Sequence, residues 1–390
     1  MRIFIEPTEP LLFRRGHAFD AGESNFADSM FPPTPETLQG AIRAMIATHS
    51  THIDGNTSLA ARFETDILID LIGNYRMGYG RFRITGLTIG RRKKDDTIER
   101  LFPAPAHLMR VKFSGDQKPT IVRLKPTPLT GVKSNMPDGM QYLIAPDLEG
   151  KDIDGKPTAL GWLNEHDLQI ALKADGNPRQ IKPVSNSDIY KQESRLGIGM
   201  NSKTKTTREG FLYQIQMIRM ERNHDYIYGF VVDVRLAQKG SPHEFIDDKQ
   251  TERELGLPPT GWLTLGGEQR AAHFTVLDTE ATDLQNGVEE VPSGRCVYLA
   301  TPAYFTSGWR PPVGRLDPSS RLIAAAINRA EPIGGWELNP GHAGGKGKTT
   351  RRCVPAGSVY FFDTPIPITQ PFTEYGWQIG YGIAYTGDYE

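Results

Sequence analysis

The sequence predicts a strand-rich α+β fold, on three observations. Short runs of β-branched and aromatic residues recur along the chain, helical periodicity appears only occasionally, and the two do not alternate regularly as a doubly wound sheet would require. Glycine (40 of 390 residues) and proline (29) exceed their average usage of about 7% and 5%, as expected of many turns between short elements. The length exceeds what one core usually supports, so two domains are expected.

The first element is a strand over 2–6, ended by Pro7 and Pro10. A helix follows from Thr34. Thr34 suits an N-cap, Pro35 the first helical position and Glu36 the first turn, and Leu38, Ala41, Ile42 and Met45 form one apolar stripe. Residues 211–220 alternate in the manner of a half-buried strand, while 226–234, 297–305 and 354–362 read as further strands. Polar stretches at 150–155 and 176–187 are the expected linkers, and we divide the chain into 1–180 and 181–390.

Two cysteines, Cys296 and Cys353, are too few for a disulfide framework or a thiolate zinc site, which fits a reducing compartment. The start of the chain lacks the apolar core of a signal peptide, and no stretch approaches the roughly 20 apolar residues of a membrane span, so a cytoplasmic protein with no membrane partner is expected. The net charge of −1 hides local asymmetry. Arg76, Arg81, Arg83, Arg91, Arg92, Lys93 and Lys94 form an acid-free run; Lys203, Lys205 and Arg208 form a second, and Lys346, Lys348, Arg351 and Arg352 a third. One such run is ordinarily a solvated face, but three together point to a polyanion. Residues 221–290 hold fourteen acids against six bases, a candidate protein-docking face.

The glycine- and lysine-rich segment 341–352 resembles a phosphate loop but fails on spacing, because His342 stands where the first glycine belongs. It remains suited to backbone amides and cations approaching phosphates, against the reading of a surface loop. His166-Asp167 and His224-Asp225 are isolated dipeptides without the partners that complete a metal site, and no metal or cofactor is expected. His17, His49 and His52 are candidate acid-base groups, each more simply structural. Trp309 with Arg310 is a candidate base-stacking pair, while Trp377 reads as core.

Taken in order, several segments resemble one family. They are Ile5-Glu-Pro, Leu11-Leu-Phe-Arg-Arg, Pro32-Pro-Thr-Pro-Glu-Thr-Leu-Gln-Gly-Ala-Ile-Arg, Leu101-Phe-Pro-Ala-Pro, Glu193-Ser-Arg-Leu-Gly-Ile-Gly, Glu209-Gly-Phe-Leu-Tyr, Leu265-Gly-Gly-Glu-Gln-Arg and the glycine-rich tail 376–387. The chain resembles the repeat-associated (RAMP) proteins of CRISPR systems, and within them subunit three of the type III-B Cmr complex. That resemblance implies two ferredoxin-like (RRM-type) domains with insertions and a C-terminal glycine-rich loop. It further implies a non-catalytic subunit that binds the 5′ repeat-derived handle of the guide crRNA and docks onto the large polymerase-type subunit and the backbone RAMP subunits.

The RNA-binding residues expected from the resemblance and the charge pattern are Arg14, Arg15, Thr37, Gln39, Arg43, Arg195, Lys203, Lys205, Arg208, Arg270, Trp309, Arg310, Lys346, Lys348, Arg351 and Arg352. The first helix offers a positive N-terminal end to phosphate, and Gly266-Gly267 beside Arg270 would let a loop approach RNA, against the reading of a strand-end turn. Two departures stand out: Gln39 occupies a position where RAMP proteins often carry lysine, and 376–382 has no basic residue. The rival class is a metal-independent endoribonuclease using a histidine such as His49 as general base; a pure protein scaffold is the third.

Overall fold

The computed structural model describes residues 1–14, 26–74, 78–128, 131, 136–145, 150, 152–200, 203–204, 206–277, 293–312, 319–337, 346–368 and 371–389. The fold is mixed α+β, dominated by antiparallel sheets. It divides into two compact units, and neither is one continuous stretch of chain. The first comprises residues 1–97, 189–282 and 332–351; the second comprises 98–188, 283–331 and 352–390. This partition differs from a single cut at 180/181, because strand pairing joins the N-terminus to residues beyond 220.

In the first unit the strand Arg2–Pro7 lies between Tyr226–Gln238 and Arg270–Leu277, antiparallel to both. Phe82–Lys93 adds beyond Tyr226–Gln238, and Thr260–Leu265 adds beyond Arg270–Leu277. One face of this sheet carries Ile3, Ile5, Phe230, Val232 and Phe274, all buried. The sheet passes glycine against glycine at Gly90 and Gly229, where a Cβ on either would strike the Phe4 ring within 3.0 Å. The missing side chains are therefore the seat of that ring.

The helix Pro35–His49 forms as its sequence dictates. Thr34 is extended and its hydroxyl accepts from the Thr37 amide, Pro35 occupies the first turn, and Leu38, Ala41, Ile42 and Met45 are buried. Its far end is held by Arg62, whose guanidinium donates to the carbonyls of Ala47 (3.0 Å), Thr48 (2.6 Å), Asp54 (3.3 Å), Gly55 (3.0 Å) and Thr57 (2.9 Å). A single buried cation thus satisfies carbonyls that a helix terminus leaves unpaired. Asp248–Leu255 is a second helix, capped by Asp247 and closed by Gly256 in the left-handed conformation (φ 60°, ψ 39°).

The second unit is built on the sheet Leu322–Ala326, Val359–Pro367, Ser293–Leu299 and Ala384–Gly387, in that order. Its core joins Tyr298, Phe361 and Val359 to Phe102, Leu163 and the helix Glu165–Leu172. Both cysteines are buried and unlinked, and burial pushes the Cys296 thiol up to about 12, so it packs as an apolar side chain. Among the described residues no helix is long and apolar enough to cross a membrane.

Candidate nucleic-acid interface

The longest local feature of the first unit is a hairpin of Tyr190–Met200 and Thr207–Met220. It gathers Arg195, Lys203 and Arg208 on one element; Lys205 lies outside the described residues. In an antiparallel pair directly opposed residues share a face. One face therefore carries Gln192, Ser194, Leu196, Ile198 and Met200. Toward the base it is an amide ladder, with Gln216 donating to Gln192 at 2.7 Å and Gln214 donating to Ser194. Toward the turn it is apolar, with Leu196 75%, Ile198 51% and Met200 52% exposed.

The opposite face holds Glu193 between two guanidinia, accepting from Arg195 at 2.8 Å and from Arg219 at 2.7 Å. These hydrogen bonds hold the Glu193 carboxyl below its usual range. Arg195 is consequently a member of an ion-pair network; Lys203 lies exposed at the turn and has an interaction of its own.

A second grouping forms around Tyr79. The Arg43 guanidinium lies 5.9 Å from its ring centroid and donates to the Gly78 carbonyl at 3.3 Å, and burial lowers the Arg43 pKa. Burial also raises the Tyr79 phenol, with Glu36 adding to that effect and Arg43 and Arg351 opposing it. Arg43 and Arg351, distant in sequence, both act on that phenol through their charge. Nothing stands within 4 Å of a Cβ placed on exposed Gly40, so the helix surface here is open.

The helix N-terminus itself is less available than its sequence implied. Thr37 donates its amide to the cap, its hydroxyl lies 3.1 Å from that of Thr34, and Glu36 places a carboxylate in the first turn. Gln39 is buried at 7% exposure, and its Nε2 has no partner among the described residues.

The third basic run flanks a short ladder in which Trp336–Glu337 pairs with Lys346–Gly347, and the Lys348 amide donates to Gly335 at 2.9 Å. Residues 341–345 lie outside the description. Lys348 is half-buried and Arg352 exposed, and neither forms an ion pair with another described residue.

Other expected residues are placed differently. Gly266 (φ 76°) and Gly267 meet Leu12, whose carbonyl accepts from the Gly267 amide at 2.7 Å; a Cβ on Gly266 would lie 2.7 Å from that oxygen. The glycines serve a backbone crossing with Leu12. Arg270 is tied to Glu268 at 2.5 Å and lies 3.8 Å from Glu9. Arg14 is exposed and its backbone bridges Ser29, while Arg15 lies outside the described residues. Trp309 and Arg310 belong to the second unit, where the guanidinium stands 5.2 Å over the indole of its neighbour; Trp377, expected in the core, is half-buried.

The first acid-free run is not acid-free in space. Arg81 meets Asp70 and Glu254, Arg92 meets Glu6, Lys94 meets Asp225, and Arg83 donates to the carbonyls of Gly80 and Phe82. The acidic segment is engaged in the same way: Asp233 pairs with Arg2, Asp248 with the Met1 amine, Glu221 with Lys191, and Asp247 caps a helix.

His49 Nε2 lies 2.7 Å from the Trp262 carbonyl, and Asp167 accepts from the Lys182 amide at 3.0 Å as part of a helix start. Among the described residues no group of three or more His, Cys, Asp or Glu side chains is placed to hold a metal. Sequence reasoning missed Tyr79, the apolar end of the hairpin and Trp262, which is 57% exposed. The alternation of Leu196, Ile198 and Met200 was the signal available for the hairpin.

Comparison with known proteins now adds the family. Among the solved chains that resemble this one are two from Cmr complexes. A chain of the type III-B Cmr-beta complex bound to cognate target RNA and AMPPnP is 14% identical, matching 93% of this chain and 86% of that one with a TM-score of 0.44. A chain of Cmr-beta bound to cognate target RNA is 16% identical over the same shares, with a TM-score of 0.47. At these scores the likeness carries no argument. No curated protein matches the sequence significantly. The sequence model described as CRISPR-associated protein (Cas_Cmr3) matches residues 3–389, so the chain belongs to the CRISPR-associated Cmr3 family.

Proposed function

We propose that the chain is a non-catalytic subunit of a type III-B CRISPR effector that holds the 5′ repeat-derived handle of the guide crRNA and docks onto the large polymerase-type subunit and the backbone RAMP subunits. The family match over residues 3–389 carries this reading. In it, the chain uses two ferredoxin-like (RRM-type) domains to present cations to the RNA backbone.

The phosphate contacts come first from Lys203 at the hairpin turn, and from Lys348 and Arg352 in the third basic run. In this reading Arg195, Arg208, Lys346 and Arg351 add charge within the same two stretches of sequence. Arg43 and Tyr79 line the open helix surface at Gly40. Phosphate contacts fix register without reading sequence, and unpaired bases are held by stacking, here on Trp309 and Arg310.

The test is one titration of labelled handle-containing RNA with the purified chain across salt concentrations, with and without chelator, following binding and cleavage together. Salt-sensitive binding without cleavage is the expected result. Chelator-resistant cleavage that disappears in His49→Ala would overturn the reading in favour of a processing nuclease.

A further inference from the structure

The strand Thr260–Leu265 ends its sheet: it pairs with Arg270–Leu277 on one side and with no strand on the other among the described residues. The Val276 amide donates to Pro259, which places residue 259, and by alternation 261, 263 and 265, in the hydrogen-bonded class of the ladder. Thr260, Trp262 and Thr264 therefore turn their amides and carbonyls outward. The one outward group with a described partner is the Trp262 carbonyl, which His49 covers at 2.7 Å. Thr260, Trp262 and Thr264 are all exposed.

Sheet edges are ordinarily blunted by lysine, proline, bulges or inward charge. Thr-Gly-Trp-Leu-Thr-Leu has none of these within the strand; the two prolines, Pro258 and Pro259, stop just before it. Trp262 exposes more than half its surface yet is held edge-on against His273 at 5.3 Å, a pre-positioned aromatic of the kind that anchors interfaces.

We propose that this edge receives an extended segment of another protein subunit of the effector, which adds to the sheet as one further strand and packs an apolar side chain against Trp262. The outward amides of Thr260, Trp262 and Thr264 and the carbonyls of Thr260 and Thr264 match a peptide backbone, and an incoming donor would take the place of His49 at the Trp262 carbonyl. A phosphate backbone is disfavoured, because Glu9 and Glu268 lie with Arg270, the residue paired with Leu265 at the end of the strand. The inference rests on the reading of the chain as part of a multi-protein effector.

Hydrogen exchange on the complex assembled from co-expressed subunits tests it directly. The amides of Thr260, Trp262 and Thr264 are expected to exchange at least about tenfold more slowly in the complex than in the isolated chain, and guide RNA alone leaves them unchanged. Thr264→Pro removes an outward amide without touching the inner ladder, so it weakens association about tenfold or more while handle-RNA binding persists. Wild-type exchange decides the matter even if that variant does not fold. Unprotected amides in an assembled complex overturn the inference alone, as does protection by RNA alone or by self-association of the chain. Failure of the wild-type chain to join any other subunit sinks the functional reading with it.

Discussion

Replacing Lys348 and Arg352 together by alanine separates cations available to RNA from cations already consumed within the fold. Neither side chain forms an ion pair with another described residue, whereas Arg195 is held by Glu193 and Arg270 by Glu268. Each phosphate contact to a single strand contributes about 0.7 to the slope of log affinity against log salt, so losing two contacts flattens the slope by about 1.4. Between 50 and 200 mM salt, a fourfold change, wild-type affinity should therefore fall about sevenfold further than that of the variant.

The control is Arg195→Ala with Arg270→Ala, which removes the same formal charge from paired positions and should change the slope by less than half as much. Fluorescence anisotropy of labelled handle RNA at four or more salt concentrations reads both. Equal slopes for the two double variants would refute the reasoning, because local ion pairing would then have no bearing on which cations meet phosphate.

Other consequences are equally open to measurement. Gln39→Met removes a buried amide whose Nε2 has no described partner, and should raise stability by about 1 kcal/mol in denaturant titration, whereas Gln39→Lys should lower it by a similar amount and leave RNA affinity unimproved. Arg62→Met strips the donors from five carbonyls and should cost about 3 kcal/mol, read by the same titration.

His107 is buried with its pKa lowered to about 3, chiefly by desolvation and then by Arg123, so the folded chain keeps it neutral while the unfolded chain protonates it near 6.5. Its contribution is complete above pH 6.5 and is lost as pH falls from there toward 3, by about tenfold in the folding equilibrium per pH unit. His107→Leu should remove one proton's worth of that slope in melts between pH 6.5 and 4.5.

The first helix was legible because everything that specifies it is local: the cap, the proline and the apolar stripe all lie within residues 34–45. The strands 226–234 and 211–220 were likewise readable from composition and alternation, and the structure extends them to Tyr226–Gln238 and Thr207–Met220. Which strands pair was not legible, since Arg2–Pro7 finds both neighbours more than two hundred residues away and nothing local encodes that choice. Charge suffered from the same blindness. Arg81 and Arg92 looked free because their carboxylates come from far off in the sequence, Glu254 from the helix Asp248–Leu255 and Glu6 from the first strand. Gln39 looked like an exposed helix position and is instead in the core side of its helix.

The interior place of Arg2–Pro7 in its sheet has a consequence for synthesis. On a ribosome adding about 5–20 residues per second, the strand that completes its second edge, ending at Leu277, emerges roughly a quarter of a minute to a minute after the first. Until Tyr226–Gln238 emerges late in that interval, the apolar Ile3 and Ile5, fully buried in the finished protein, have neither neighbour, and the nascent chain presents a strand with two open sides. Production of the intact subunit should accordingly respond to chaperone supply and growth temperature more than its final stability would indicate, with insoluble truncated chains ending before Leu277 as the signature.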